Sequence, residues 1–223
     1  LRDTTTRERL LDAAEELFGL HGYDAVSVRD IAQRAGVNLA GVNYHFGGKE
    51  NLYVEALRRR LAPRRERLLA AIAGAAEEAR RSGDAEPLLR AFVRAHLGDV
   101  LTERPQANAL RLTAREMVEQ HHGARVLSEE MVRPVHEAFR EALARALPSL
   151  DARRIDWIIG SVVGQVVHFI MRWRHQQGEG SCVHGDIFPP LAPDLETYVE
   201  RTVEHIVRFS RAGIMALCDR EAS

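Results

Sequence analysis

The sequence reads as an all-α protein: an N-terminal three-helix unit containing a helix-turn-helix, followed by a larger C-terminal helical bundle. Three observations predict this. Apolar residues recur at steps of three and four along most of the chain, and no alternating stretch competes as a strand. Residues 27–46 read as two short helices joined at a glycine. The 223 residues, 45% apolar and 28% charged, have the make-up of an ordinary globular chain with core enough for one or two domains.

Thr4, Thr5 and Thr6 offer caps for the first helix, with Thr5 and Glu8 spaced as a capping box, and Leu10, Leu11, Ala14, Leu17 and Phe18 give it one apolar stripe as far as Gly22. Tyr23 and Val26 bridge to Ser27. Ser27 caps the second helix with Asp30 completing the box, and Val28, Ile31, Ala32 and Ala35 form its apolar face. Gly36 ends that helix, because a sharp reversal there needs a residue at ease in the left-handed region. Val37 packs into the angle, Asn38 caps the third helix, and Val37, Val42 and Phe46 belong to the small core. Gly47 and Gly48 close the unit.

Lys49 and Glu50 open a fourth helix through Asn51, Leu52, Tyr53, Ala56 and Leu57, with its first backbone N–H groups open to an anion. Pro63 is expected to interrupt or kink it before Leu68, Leu69, Ile72, Ala75 and Ala76 resume an apolar stripe up to Ser82-Gly83-Asp84. Five further helices are expected over 86–102, 106–120, 124–147, 151–176 and 193–217.

The helix at 151–176 has two candidate burial faces. One carries Ile155, Ile158, Ile159, Val162, Val163, Val166, Phe169, Ile170 and Trp173; the other carries Trp157, Ser161, Gly164, Gln165, His168 and Arg172, with Gly160 and Gly164 allowing close approach. With Tyr198, Val199, Val203 and Ile206 of the last helix, residues Ile155, Ile159, Val162, Val166, Phe169 and Trp173 make a candidate dimer interface. Periodicity alone reads the same stripe equally well as intramolecular core. The connection at 177–192 is expected to be disordered or a flap. Its Cys182, His184 and Asp186, with His175, match no standard metal spacing, so no metal site is assigned.

A net charge of −1 gives no global basic field, yet from Gln33 to Lys49 there is no carboxylate while Arg34, His45 and Lys49 are present, so the local field can be positive. Cys182 and Cys218 form no disulfide framework and fit a reducing cytoplasm. No signal peptide is visible, and the apolar run from Trp157 to Met171 is too short to span a bilayer, so it is expected to be a buried helix and no membrane partner is assigned. His121, His122, Glu116 and His136 stand in no nucleophile, phosphate-loop or metal motif. Neither an enzyme nor a cofactor is expected, and no catalytic residue is assigned.

More than a generic helix-turn-helix is present. The succession Gly22-Tyr23, Ser27-Val28-Arg29-Asp30-Ile31-Ala32, Ala35-Gly36-Val37, Val42-Asn43-Tyr44-His45-Phe46 and Lys49-Glu50-Asn51-Leu52 closely resembles the N-terminal domain of the TetR family of bacterial transcriptional regulators. A further resemblance, to the branch with a CecR-like C-terminal domain, is carried by 38–44 with 46–53, by Arg115-Glu116-Met117, by Arg133-Pro134, and by Gly164-Gln165 with Phe169 and Arg172. His45 and Gly48 depart from that branch, which often has an aromatic and a serine there.

The resemblance implies a DNA-binding domain over 1–50, with the motif at 27–46, and a helical ligand-binding and dimerisation domain over 51–223. It implies a ligand-responsive repressor that binds a palindromic operator in double-stranded DNA as a homodimer and answers to an unknown small-molecule effector. The helix after the turn enters the major groove N-terminus first, so Asn38, Leu39, Ala40, Gly41 and Asn43 meet base edges or adjacent backbone, with Asn43 suited to adenine. Tyr44, His45 and Lys49 match positions that touch phosphates in the family, and Ser27 and Arg29 approach the backbone from the second helix.

For the effector, Phe92, His96, Leu112, Met117, Phe139, Gln165, His168 and Arg172 are candidate cavity residues, and Arg172 with His168 would suit an anionic or polar-headed molecule. His96 reads equally as an ordinary satisfied histidine, and Arg172 as a partner of Glu116. The competing class is a helical interaction or small-molecule-binding module that keeps the fold without reading DNA.

Overall fold

The computed structural model describes residues 2–102, 112, 116, 122–177 and 191–219. Every regular element among them is helical: α1 (Arg2–His21), α2 (Val28–Ala35), α3 (Leu39–Phe46), α4 (Lys49–Ser82), α5 (Glu86–Thr102), α6 (Ala124–Val126), a π-helical turn (Leu127–Val132), α7 (Arg133–Ala146), α8 (Ala152–Gln176) and α9 (Leu195–Asp219). The expected helix at 106–120, the loop residues Cys182, His184 and Asp186, and Met117 lie outside the described residues.

Three boundaries differ from the sequence expectation. α1 begins at Arg2, ahead of the threonines that were its expected caps. α4 runs unbroken through Pro63, which is exposed. Proline removes one N–H from the ladder, and on a solvent-facing side the carbonyl four residues back can turn to water, so the helix tolerates it. The third difference has a visible cause. Instead of one helix over 124–147, the chain takes a π-helical turn just before Pro134. The Glu130 carbonyl, which Pro134 cannot reach for lack of an N–H, accepts a hydrogen bond from Arg65 Nη1 at 3.0 Å.

The chain divides into two compact units that do not follow a cut at residue 50. Residues 1–65 group with 105–133, and 66–104 group with 134–223. In the first unit Leu10, Leu11, Ala14, Phe18, Ile31, Val42, Leu52 and Tyr53 are buried together. An ionic cluster braces α1 against α4. The buried Glu15 carboxylate accepts from Arg59 Nε and Arg60 Nε, each at 2.5 Å, and Arg59 also reaches Asp12 at 2.6 Å and Glu8 at 2.8 Å. Burial opposes the Arg59 charge, but its hydrogen bonds to Glu15 and Asp12 outweigh that and raise its pKa.

In the second unit α5, α8 and α9 pack on one another. Phe92 of α5 stacks on Phe139 of α7 with ring centroids 4.3 Å apart. α8 starts at its Asp151 cap and buries Ile155, Ile158, Ile159, Val162, Val166 and Trp173. Trp173 meets Tyr198 of α9 at 4.6 Å, and the Tyr198 hydroxyl donates to the Phe169 carbonyl at 2.7 Å; burial pushes that phenol up to about 12. Ile155, Ile159, Val162, Val166, Trp173, Tyr198, Val203 and Ile206 are each 8% exposed or less within a single chain, so the apolar stripe packs as intramolecular core. Phe169 and Val199 are half-buried.

α8 contains an 18-residue window of mean hydropathy 1.2, a test that the core helix of a globular protein also passes, and its Ile, Val and Trp face is buried here.

Asp84 ties the ends of this unit together. Its carboxylate accepts from the Glu86 amide at 2.9 Å, capping α5, and from Arg211 Nε and Nη2 of α9 at 2.7 and 2.5 Å. The Arg211 hydrogen bonds hold its carboxyl below the usual value. A depressed carboxyl stabilises the fold above its unfolded pKa and loses that contribution as pH falls through the folded one. Asp84→Ala should therefore lower stability by roughly 1–2 kcal/mol at pH 7. The gap to wild type should narrow below about pH 4 in urea titrations.

Candidate nucleic-acid interface

The turn between α2 and α3 is set by hydrogen bonds that the backbone cannot make any other way. Ser27 accepts from the Asp30 amide at 3.1 Å, while the Asp30 carboxylate accepts from the Ser27 amide at 2.8 Å and from its hydroxyl at 2.6 Å. These bonds hold the Asp30 carboxyl below its ordinary value. At the other end Gly36 sits at φ 64°, its amide donates to the Gln33 carbonyl, and the Val37 amide donates to the Ala32 carbonyl. That is the Schellman arrangement. Arg9 of α1 completes it by donating through Nη2 to the Ala35 carbonyl and to the Gly36 carbonyl at 3.0 Å. A cation on the last carbonyls of a helix complements its dipole.

Beyond the turn, the Asn38 side chain accepts from the Ala40 amide at 3.0 Å and starts α3. A β-carbon at Gly41 would lie 2.9 Å from Val37, so a larger residue there would push α3 off the turn. Val42 and Phe46 face the core. Leu39 and Asn43, four apart, make one outward row, and Ala40 and Tyr44 make a second. All four are exposed, Leu39 at 41% and Tyr44 at 79%. Large apolar side chains left exposed beside one another mark a contact site. Arg29 is exposed on α2, and His45 lies edge-on to Tyr44 at 5.0 Å.

Two of the expected positive charges are engaged within the protein. Arg34 pairs with Glu16 of α1 at 2.6 Å, so it contributes less to the local field than the sequence suggests. Lys49 Nζ lies 4.2 Å from the centre of the Tyr23 ring, which also meets Phe18, Tyr53 and His122. Burial first, then Glu50 and Asp24, raises the Tyr23 phenol pKa. The Ser27 hydroxyl both donates and accepts in the helix cap, so a phosphate contact from it would compete with the cap.

Of the expected effector residues, Phe92 meets both Phe139 and His96, with ring centroids 4.3 Å apart in each case. Phe92 and Phe139 are core, and His96 Nδ1 lies 3.2 Å from the Phe92 carbonyl. Leu112 is buried in the first unit. Gln165 donates to Ser210 Oγ at 3.1 Å, His168 is exposed, and Arg172 acts electrostatically on Tyr198. Glu116 accepts from the Tyr53 hydroxyl at 2.5 Å. Its other oxygen is buried without a hydrogen bond. Arg9 and Tyr53 were missed as structural partners because each acts on a residue 26 or more positions away, where local patterns carry no signal.

Residues 10–56 match the family model for bacterial regulatory proteins of the tetR family, and residues 90–213 match that for the tetracyclin repressor-like C-terminal domain. The dual transcriptional regulator CecR of Shigella flexneri is 26% identical over 181 residues, covering 76% of this chain and 77% of CecR. The transcriptional regulatory protein RaaS of Mycobacterium tuberculosis is 50% identical over 50 residues, covering 22% of this chain and 23% of RaaS. In fold, a TetR-like transcriptional regulator from Rhodococcus sp. RHA1 superposes with a TM-score of 0.64 at 18% identity, covering 94% of this chain and 96% of that one.

Gly36 offers a direct test of the turn. An alanine there would hold a left-handed backbone and set its β-carbon 2.6 Å from Arg9 Nη2. Gly36→Ala should cost roughly 1–3 kcal/mol. It should lower DNA affinity at temperatures where far-UV circular dichroism is still that of wild type.

Proposed function

The chain belongs to the TetR family of bacterial regulatory proteins and is a DNA-binding transcriptional regulator, and on that premise we propose that it is a ligand-responsive repressor that binds a palindromic operator as a homodimer in the cytoplasm. The observation that carries the reading is the outward face of α3. Leu39, Ala40, Asn43 and Tyr44 project from a helix whose start and angle are fixed by Gly36, Asn38 and Gly41. A two-fold axis then sets two such helices about one turn of DNA, roughly 34 Å, or a multiple apart.

For the dimer we assign a face that the sequence placed on the other side of α8. Trp157 is 72% exposed and Phe209 67% exposed. They flank a groove of about 330 Å³ whose lining includes Ser161, Gln165, Gly213 and Leu217. Exposed Val167 and Met171 extend the apolar surface along α8. Large aromatics around a shallow groove of small residues suit a second pair of α8 and α9 helices. Gln165 and His168 then belong to this face and not to an effector cavity. Response to a small molecule is typical of the family and rests on that alone here.

A gel shift with DNA flanking the gene tests the function. A specific shift by the pure protein is expected. Its absence at low salt with competitor would favour a helical interaction module that keeps the fold without reading DNA. The dimer face is tested by Phe209→Glu, which should give a monomer by light scattering with unchanged helicity and DNA binding at least tenfold weaker, since each half-site contact would act alone.

A further inference from the structure

We propose that α3 reads an A·T-rich half-site core through a hydrogen bond to adenine from Asn43 and apolar contact of Leu39 with thymine methyl groups. This rests on the operator reading above and names the DNA chemistry it would select. Three observations support it. Leu39, the first residue of α3, keeps 41% of its surface exposed even though its neighbours Val42 and Phe46 are buried. Leu39 and Asn43 lie one helical turn apart in the same outward row, so both point at neighbouring base pairs when the N-terminus of α3 enters the groove.

The third observation is one of composition. The outward rows of α3 hold leucine, alanine, asparagine and tyrosine, with neither arginine nor lysine among its eight residues. Guanine is read most often by the paired donors of arginine or by lysine, adenine by the amide of asparagine, and the thymine methyl by apolar side chains. The nearby arginine at 34 is held by Glu16, and Lys49 lies over Tyr23. Ala40 keeps the groove wall close without adding a donor. The surface is therefore matched to adenine and thymine edges and has no guanine reader of its own.

The test selects operator duplexes from a random library with the full-length protein, then replaces each thymine of the enriched half-site in turn by uracil, which removes only the methyl group. At one or two core positions binding should weaken roughly fourfold per methyl, the factor for burying one methylene-sized group. Leu39→Ala should abolish that sensitivity while keeping the adenine preference. Exchanging the adenine read by Asn43 should cost roughly 5- to 150-fold, and Asn43→Ala should flatten that preference. An enriched site that is indifferent to uracil at every position, or whose strongest core requirement is guanine, overturns the inference and leaves the operator reading standing. A library with no enriched sequence overturns both.

Discussion

The left-handed backbone at Gly36 is the constraint on which the DNA-facing end depends. It allows α2 to stop after eight residues and lets the Val37 amide turn back to Ala32, so α3 leaves at an angle that no ordinary residue would permit. The turn is also locked from outside. Arg9 of α1 places its guanidinium on the two carbonyls that the turn leaves open. The position of a reading helix is thus fixed by a contact from α1, and base recognition inherits the precision of that contact.

That precision extends further than the motif. α1 is held to α4 by Glu15, which bridges Arg59 and Arg60, and α4 in turn is tied to residues after 112 through Tyr53 and Glu116, Arg58 and Glu130, and Arg65 and the Glu130 carbonyl. Beside them, Lys49 and His122 meet the same Tyr23 ring, and His122 Nδ1 lies 3.2 Å from Glu50. The first fifty residues are therefore part of a larger unit that includes chain from 105 to 133. A half-satisfied buried carboxylate at its centre is costly unless the surrounding packing holds it, so Glu116 makes that unit sensitive to changes around Tyr53 and Leu57.

What the sequence disclosed and what it hid divide by range. Ser27 with Asp30, Gly36 and Asn38 were legible because a cap and its partner lie within about five residues, where each residue type has a local job. The two faces of α8 were not. A stripe of Ile, Val and Trp looks the same whether α5 and α9 or a second chain covers it, and only the tertiary packing decided. Proline misled twice in opposite directions. Pro63 was tolerated on a solvent face, while Pro134 reshaped the preceding turn, a difference set by surroundings and not by the residue. The effector residues were the least legible, because cavity lining and core lining use the same side chains; Phe92 and Phe139 proved to be stacked core.

Net charge reads differently once the pairs are known. The chain is nearly neutral, and many arginines of the first unit are spent inside it: Arg7 on Glu55, Arg34 on Glu16, Arg58 on Glu130, Arg59 and Arg60 on Glu15. Sequence-independent attraction to DNA comes from phosphates neutralised by such cations, at a slope of roughly 0.9 logarithmic units per phosphate and per decade of salt. These pairs reduce the positive charge that the unit presents to a random duplex at long range. Under the proposed reading, short-range fit of the exposed Leu39, Asn43 and Tyr44 and of the helix-capping backbone around Asn38 supplies the specific part of the hold on DNA. Under the same proposal, joining two chains through the α8 and α9 face raises affinity by making the second half-site contact intramolecular.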